Sequence, residues 1–261
     1  MITDAKPLAN LGLLVTRPQR QAIALQTQLE ALGARVILLP TILIEQAALT
    51  ENTKVKLDTL DENALLIFVS TNAVDQYIQQ CGTALNKNSS PQIGAIGEAT
   101  AKRLEDNGIA VNLKPSDGRY QSESLLALPA LADVRGKSAF IVRGVGGKTL
   151  LAEQLASRGA KVTYLEVYRR VKPKIDTADI RQHWKERVDL VTAFSSEALE
   201  NLVDLLGKDF SLLLQTPLLV VSESMQAQAL MLGFQCEVLL ADQVSDASVV
   251  KMILQWAKRK S

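Results

Sequence analysis

Short runs of apolar residues alternate along this chain with longer stretches in which apolar side chains recur every three or four positions. The short runs, rich in Leu, Ile and Val on both alternating faces, are the pattern of strands buried in parallel sheets. The longer stretches are the pattern of helices laid over those sheets. Strands are predicted over 11–16, 35–39, 64–70, 93–96, 110–113, 138–142, 162–167, 188–194, 218–222 and 236–240, with helices in most of the intervals. Gly33, Gly108, Gly159 and Gly233 stand where a helix must stop before the next strand, and Pro18 stands in a predicted first turn. Ser122 or Ser124 is placed to cap a helix that Pro129 then disturbs.

The pattern occurs twice. LLVTRPQRQAIALQTQLEALGARVILL (13–39) aligns with FIVRGVGGKTLLAEQLASRGAKVTYLE (140–166), setting Arg17 over Arg143 and Gly33 over Gly159 at one offset. IFVSTNAVDQYI (67–78) then meets VTAFSSEALENL (191–202), with Ser70 over Ser195, and the block at 94–111 meets that at 219–238, with Gly108 over Gly233. Three blocks in one order at near-constant spacing predict two similar α/β halves, with a ligand between them. Loops are expected over 86–92 and 114–122. The segments around Pro40 and over 169–174 each follow the second strand of a repeat's opening unit, where the chain can pass between halves as paired extended linkers.

Composition narrows the function classes. The 261 residues suffice for two domains of ordinary size, and 47% hydrophobic with 22% charged residues is a globular composition. A net charge of +1 gives no global field toward nucleic acid or an anionic membrane, so any basic site is local. The opening MITDAKPLANLGLLV carries Asp4 and has neither a basic leader nor a cleavable apolar stretch, and the apolar region 210–222 is too short to span a bilayer; a cytoplasmic protein is expected. Cys81 and Cys236 read as small buried hydrophobes rather than a disulfide. The one histidine, His183, lies in IRQHWKERV, read as an exposed surface helix, so neither a protein-built zinc site nor a Ser-His-Asp triad is expected.

In an open parallel sheet ligands bind at the carboxyl ends of strands, where helix starts present unpaired N–H groups and a positive dipole end. The turns there are TRPQ (16–19), STNA (70–73), IGEAT (96–100), RGVGGKT (143–149), SSEA (195–198) and SESM (222–225). Their small hydroxyl, amide and glycine residues suit a ligand with many carboxylates or phosphates, and each is equally satisfied as a helix cap. RGVGGKT is not a nucleotide loop, because the glycine required five positions before Gly147-Lys148 is Val142. GAIGEAT lacks the dinucleotide spacing. Arg17 and Arg143 end matched strands and can offer guanidinium forks to carboxylates. Tyr168, beside Arg169 and Arg170, can donate a proton to a leaving oxygen or pack at an interface.

At these residues the chain resembles the uroporphyrinogen-III synthases, over about 11–256. The resemblance is carried by TRP with the helix to Gly33, STNAV, IGEATAKRLEDNG, RGVGGKTLLAEQLASRG leading into LEVYRR, and AFSSEALENL. It implies two similar doubly wound parallel-sheet domains, HemD-like and flavodoxin-like, joined by a two-stranded linker. Residues 1–38 with 173–261 would form one and 42–168 the other, with linkers at about 39–41 and 169–172. It implies a cofactor-free cytoplasmic enzyme, a monomer in transient contact with the preceding pathway enzyme. The reaction is closure of hydroxymethylbilane with inversion of its last ring and loss of water. An electron-rich pyrrole expels hydroxide unaided, so the protein's task is geometry. Residue by residue, the family's tyrosine falls on Tyr168 as the catalytic candidate. Its first-repeat turn falls on Ser70, Thr71, Asn72 and Ala73, and its glycine turn on Gly97 and Thr100. The second-repeat hydroxyls fall on Ser195 and Ser196, while Ser222 stands for a glycine and Met225 for a threonine, leaving Ser224 as the hydroxyl there. Arg17, Arg143 and Gly144 complete the expected substrate contacts. Two other readings compete: a two-lobed polyanion-binding protein without catalysis, and a sugar-phosphate enzyme, which the missing phosphate loops disfavour.

Overall fold

The computed structural model describes residues 6–58, 60–83, 91–115 and 122–260. The chain begins with β1 (Gly12–Val15), α1 (Gln19–Ala31), β2 (Arg35–Leu38), β3 (Leu43–Gln46), α2 (Glu51–Asp58), β4 (Leu65–Phe68), α3 (Thr71–Cys81), β5 (Gln92–Ala95) and α4 (Glu98–Glu105). It continues through α5 (Ser122–Leu126), β6 (Ser138–Gly144), α6 (Leu150–Ser157), β7 (Lys161–Val171), α7 (Ala178–Gln182), α8 (Trp184–Arg187) and β8 (Leu190–Thr192). The last elements are α9 (Ser196–Leu206), α10 (Ser211–Leu214), β9 (Leu218–Val220), α11 (Glu223–Met231), β10 (Val238–Leu240) and α12 (Asp246–Lys260).

Two compact units result, one built from residues up to Leu43 with those from Val171 onward, the other from Ile44–Arg170. The first holds a sheet of order β10-β9-β8-β1-β2. Counted along that unit's chain this is the flavodoxin-like order 2-1-3-4-5, with every pair parallel. The second holds the order β3-β7-β6-β4-β5, in which β7, β6, β4 and β5 repeat the places of β2, β1, β8 and β9. Each sheet therefore takes its opening strand pair from one sequence repeat and its remaining strands from the other.

Burial on both faces explains the continuous apolar strands. In β4 and β6, Leu66, Phe68, Phe140 and Val142 belong to one cluster, and the alternating Leu65, Ile67, Ala139 and Ile141 to a second across the sheet. The first unit's core gathers β1, β8 and β9 with Leu25, Leu202, Ile253 and Trp184. The Trp184 indole N–H, wholly buried, donates to Thr216 Oγ1 at 2.9 Å.

Several expectations are corrected. The strand expected over 110–113 contracts to one bridge, Gly94 to Leu113, because the Asn112 side chain accepts the Ile93 N–H at 2.9 Å where a ladder carbonyl would stand. β3 was not expected; two of its four residues are polar and it occupies a sheet edge. The helix read across His183 breaks there into α7 and α8, and His183 Nδ1 lies 3.0 Å from the Asp179 carbonyl. Cys81 and Cys236 form no disulfide and are half-buried rather than buried, and the Cys236 thiol donates to the Gln215 carbonyl. Ser122 is the first residue of α5, and Pro129 opens a separate 3-10 turn. Of the expected loops, residues 86–90 and 116–121 lie outside the described residues.

Asp189 ties the start of β1 to the end of the chain. Its carboxylate accepts the Gly12 N–H at 2.8 Å and the Lys260 ammonium at 2.9 Å. Burial works against its charged form, yet these two hydrogen bonds and the Lys260 and Arg35 charges hold its pKa below the usual value. A depressed pKa contributes stability that is whole above the unfolded-state value of about 4 and is lost as pH falls through the lower folded-state value. Asp189→Asn is therefore expected to be less stable than wild type near neutrality, with the gap closing in acid below the folded-state value. Urea unfolding across that range checks this, and a gap independent of pH contradicts it.

Candidate active site

Strand order fixes where each unit can bind a ligand. Where neighbouring parallel strands send their following helices to opposite faces, a crevice opens at their carboxyl ends. In the second unit that point lies between β4 and β6, and a cavity of about 350 Å³ is found there. Ser70 at the end of β4, Arg143, Gly144 and Gly147 at the end of β6, and Tyr168 and Arg170 on β7 line it.

A register shift aims the tyrosine. β6 and β7 pair residue for residue up to Arg143 with Glu166, then skip Val167 so that Gly144 stands opposite Tyr168. A Cβ on Gly144 would lie 2.7 Å from two carbons of the Tyr168 ring. Only glycine lets the ring lie so close to the β6 backbone, and the Val145 N–H donates to the Tyr168 carbonyl at 2.7 Å to fix the pairing. The ring is buried, 7% exposed, and its hydroxyl shares a 3.2 Å hydrogen bond with Ser70 Oγ.

Arg143 is 6% exposed and pairs with no carboxylate among the described residues. Its guanidinium folds back on the following loop, donating to the Gly144 carbonyl at 3.1 Å and the Lys148 carbonyl at 3.0 Å, and stacks 4.7 Å from the Tyr164 ring. Gly146 and Gly147 take positive φ of 75° and 93°, and a Cβ on Gly147 would stand 2.6 Å from Arg143 Nη2. The Gly146 N–H donates to Glu166 Oε1 at 3.2 Å. A buried cation satisfied only by carbonyl dipoles keeps attraction for an arriving anion.

The other expected residues are distributed as follows. Ser70, Ser195 and Ser222 cap α3, α9 and α11, accepting the N–H groups of Ala73, Ala198 and Met225. The Ala73 N–H is thus already committed, and Thr71 and Asn72 form the half-buried first residues of α3. Gly97 begins α4 in extended conformation, with Thr100 buried behind it. In the first unit Ser196 opens α9, and Ser224 Oγ lies 3.0 Å from Ser222 Oγ. Arg17, at that unit's corresponding strand end, is ion-paired with Asp246 and stacked 3.9 Å from the centre of the Phe194 ring.

A family model described as "Uroporphyrinogen-III synthase HemD" matches residues 23–250. The chain belongs to the uroporphyrinogen-III synthase family. It is similar to the Salmonella typhimurium uroporphyrinogen-III synthase, 34% identical over 93% of this chain and 100% of that one, and to the Escherichia coli one, 33% identical over the same shares. Its fold is like that of uroporphyrinogen-III synthetase from Helicobacter pylori, with a TM-score of 0.60 and 16% identity over 94% of this chain and 99% of that chain. A mutant synthase from Thermus thermophilus gives 0.55 and 20% identity over 96% and 100%.

Within this synthase fold the structure adds residues that sequence reasoning missed. Tyr164, Gly147 and Arg170 border the cavity, and Glu166 anchors the loop beside it. The Gly-Gly pair in RGVGGKT was the available signal, since consecutive glycines permit the two left-handed residues that cover Arg143. Gly144→Ala is expected to drive the Tyr168 ring off Ser70 and to cost about 1–3 kcal/mol by overpacking. Denaturant unfolding with a crystal structure of the variant checks this, and an unmoved ring at wild-type stability contradicts it.

Proposed function

We propose that this chain closes hydroxymethylbilane to uroporphyrinogen III, with the Tyr168 phenol as proton donor to the departing hydroxyl. The observation that carries the residue assignment is the buried phenol in the switch-point crevice, its ring against Gly144 and its oxygen on Ser70.

The chemistry asks for little beyond placement. The phenolic proton passes to the terminal hydroxyl of the open tetrapyrrole, and the C–O bond breaks with its electron pair leaving in water. The pyrrole nitrogen's electrons stabilise the resulting azafulvenium cation. Attack by the substituted carbon of the last ring gives a spiro intermediate, whose fragmentation and reclosure invert that ring. A proton lost from the newly bonded ring carbon restores aromaticity and balances the proton given at the start. Selectivity requires that the cation be held so that this attack precedes direct closure. Arg143 receives one acidic arm, and N–H groups at the starts of α3 and α4 receive others. Arg17, already paired with Asp246, serves the architecture of its own unit.

No helix among the described residues is long and apolar enough to cross a membrane. A cytoplasmic monomer that needs no cofactor and meets the preceding pathway enzyme only transiently completes the reading.

The test supplies hydroxymethylbilane generated in situ, oxidises the products and resolves the type I and type III isomers against a protein-free control. Type III is expected to dominate, and only type I from folded protein contradicts the assignment. Tyr168→Phe is expected to lower turnover roughly tenfold or more with little change in stability, and unchanged turnover removes Tyr168 from the mechanism.

A further inference from the structure

We infer that Ser70 is a positioning residue for proton transfer, acting through Tyr168 rather than on the substrate. The inference rests on the proton-donor reading of Tyr168 above and goes beyond it by setting the direction of the hydrogen bonds.

A serine hydroxyl has one proton and two acceptor lone pairs. One lone pair of Ser70 Oγ is taken by the Ala73 N–H at 3.2 Å, which caps α3. Among the described residues the other hydrogen-bond partner within reach is Tyr168 Oη, also at 3.2 Å. When the phenol turns its proton toward a departing hydroxyl, its oxygen can only accept from Ser70. The chain then runs in one direction, from the Ala73 N–H to Ser70 Oγ, from the Ser70 O–H to Tyr168 Oη, and from the Tyr168 O–H to the leaving oxygen. Each bond polarises the next, and the start of an eleven-residue helix stands behind the first. Once the phenolic proton has left with water, the Ser70 O–H stabilises the phenolate until the proton released at ring closure returns to it. Ser195 and Ser222 cap their helices in the same way, with Oγ accepting the third residue's N–H, but among the described residues neither hydroxyl is bonded to a tyrosine. Capping alone therefore does not account for the placement of Ser70.

A double-mutant cycle tests this, with kcat, KM and the type III to type I ratio measured for wild type, Ser70→Ala, Tyr168→Phe and the double variant. Ser70→Ala is expected to lower kcat roughly tenfold with KM nearly unchanged, and to cause no further drop in the Tyr168→Phe background. The same fold-drop in both backgrounds overturns the inference while leaving the proton-donor reading intact. Wild-type kcat in Tyr168→Phe overturns that reading, and this inference with it. Because alanine also removes a helix cap, Ser70→Gly, which starts a helix at little cost, is measured beside it. It is expected to lose kcat as the alanine variant does, and wild-type kcat there overturns the inference. Ser70→Thr, which keeps both the cap and the proton, is expected to restore kcat.

Discussion

The second unit's site depends on one skipped residue. Had β6 and β7 stayed in register past Arg143, Val167 would stand opposite Gly144 and the Tyr168 ring would fall beyond the end of β6. The shift puts Tyr168 opposite a residue with no side chain, so a large ring can lie close against backbone with its hydroxyl on Ser70. The same shift sends the chain after Gly144 into a loop closed by the Arg143 guanidinium from one side and Glu166 from the other. Ring, loop and buried cation thus meet at one irregularity.

The two sequence repeats show how a shared frame can be used differently. Arg17 and Arg143 occupy the same place at the end of equivalent strands, and each stacks on an aromatic ring. Arg17 meets a carboxylate on the last helix, which neutralises it and ties α12 to the strand end. Arg143, among the described residues, donates to carbonyl oxygens and meets no carboxylate. Carbonyl dipoles solvate a guanidinium without cancelling its charge, so the second unit retains an attraction for anions that the first has spent internally.

Much of this was legible in the chain. The apolar runs located nine of the ten strands among the described residues because burial on both sheet faces leaves no polar alternation to confuse with a loop, and the repeat placed Arg17, Arg143, Ser70 and Ser195 at equivalent ends. The edge strand β3 escaped notice because half of it is polar, and the 110–113 strand shrank because an asparagine can replace a ladder carbonyl with its own side chain. Tyr168 and Ser70 were each readable as candidates, but not as partners. Their hydrogen bond spans 98 residues and depends on a register shift that leaves no mark in residue type. Asp246, 229 residues from Arg17, was equally out of reach.

The central claim is that the crevice between the ends of β4 and β6 is where the reacting end of the tetrapyrrole lies. A crystal structure with uroporphyrinogen III bound tests it most directly. The account predicts the inverted ring and its bridging carbon against Tyr168 Oη, with an acidic arm on the Arg143 guanidinium. Product well ordered on the protein with no part of it in that crevice would contradict it.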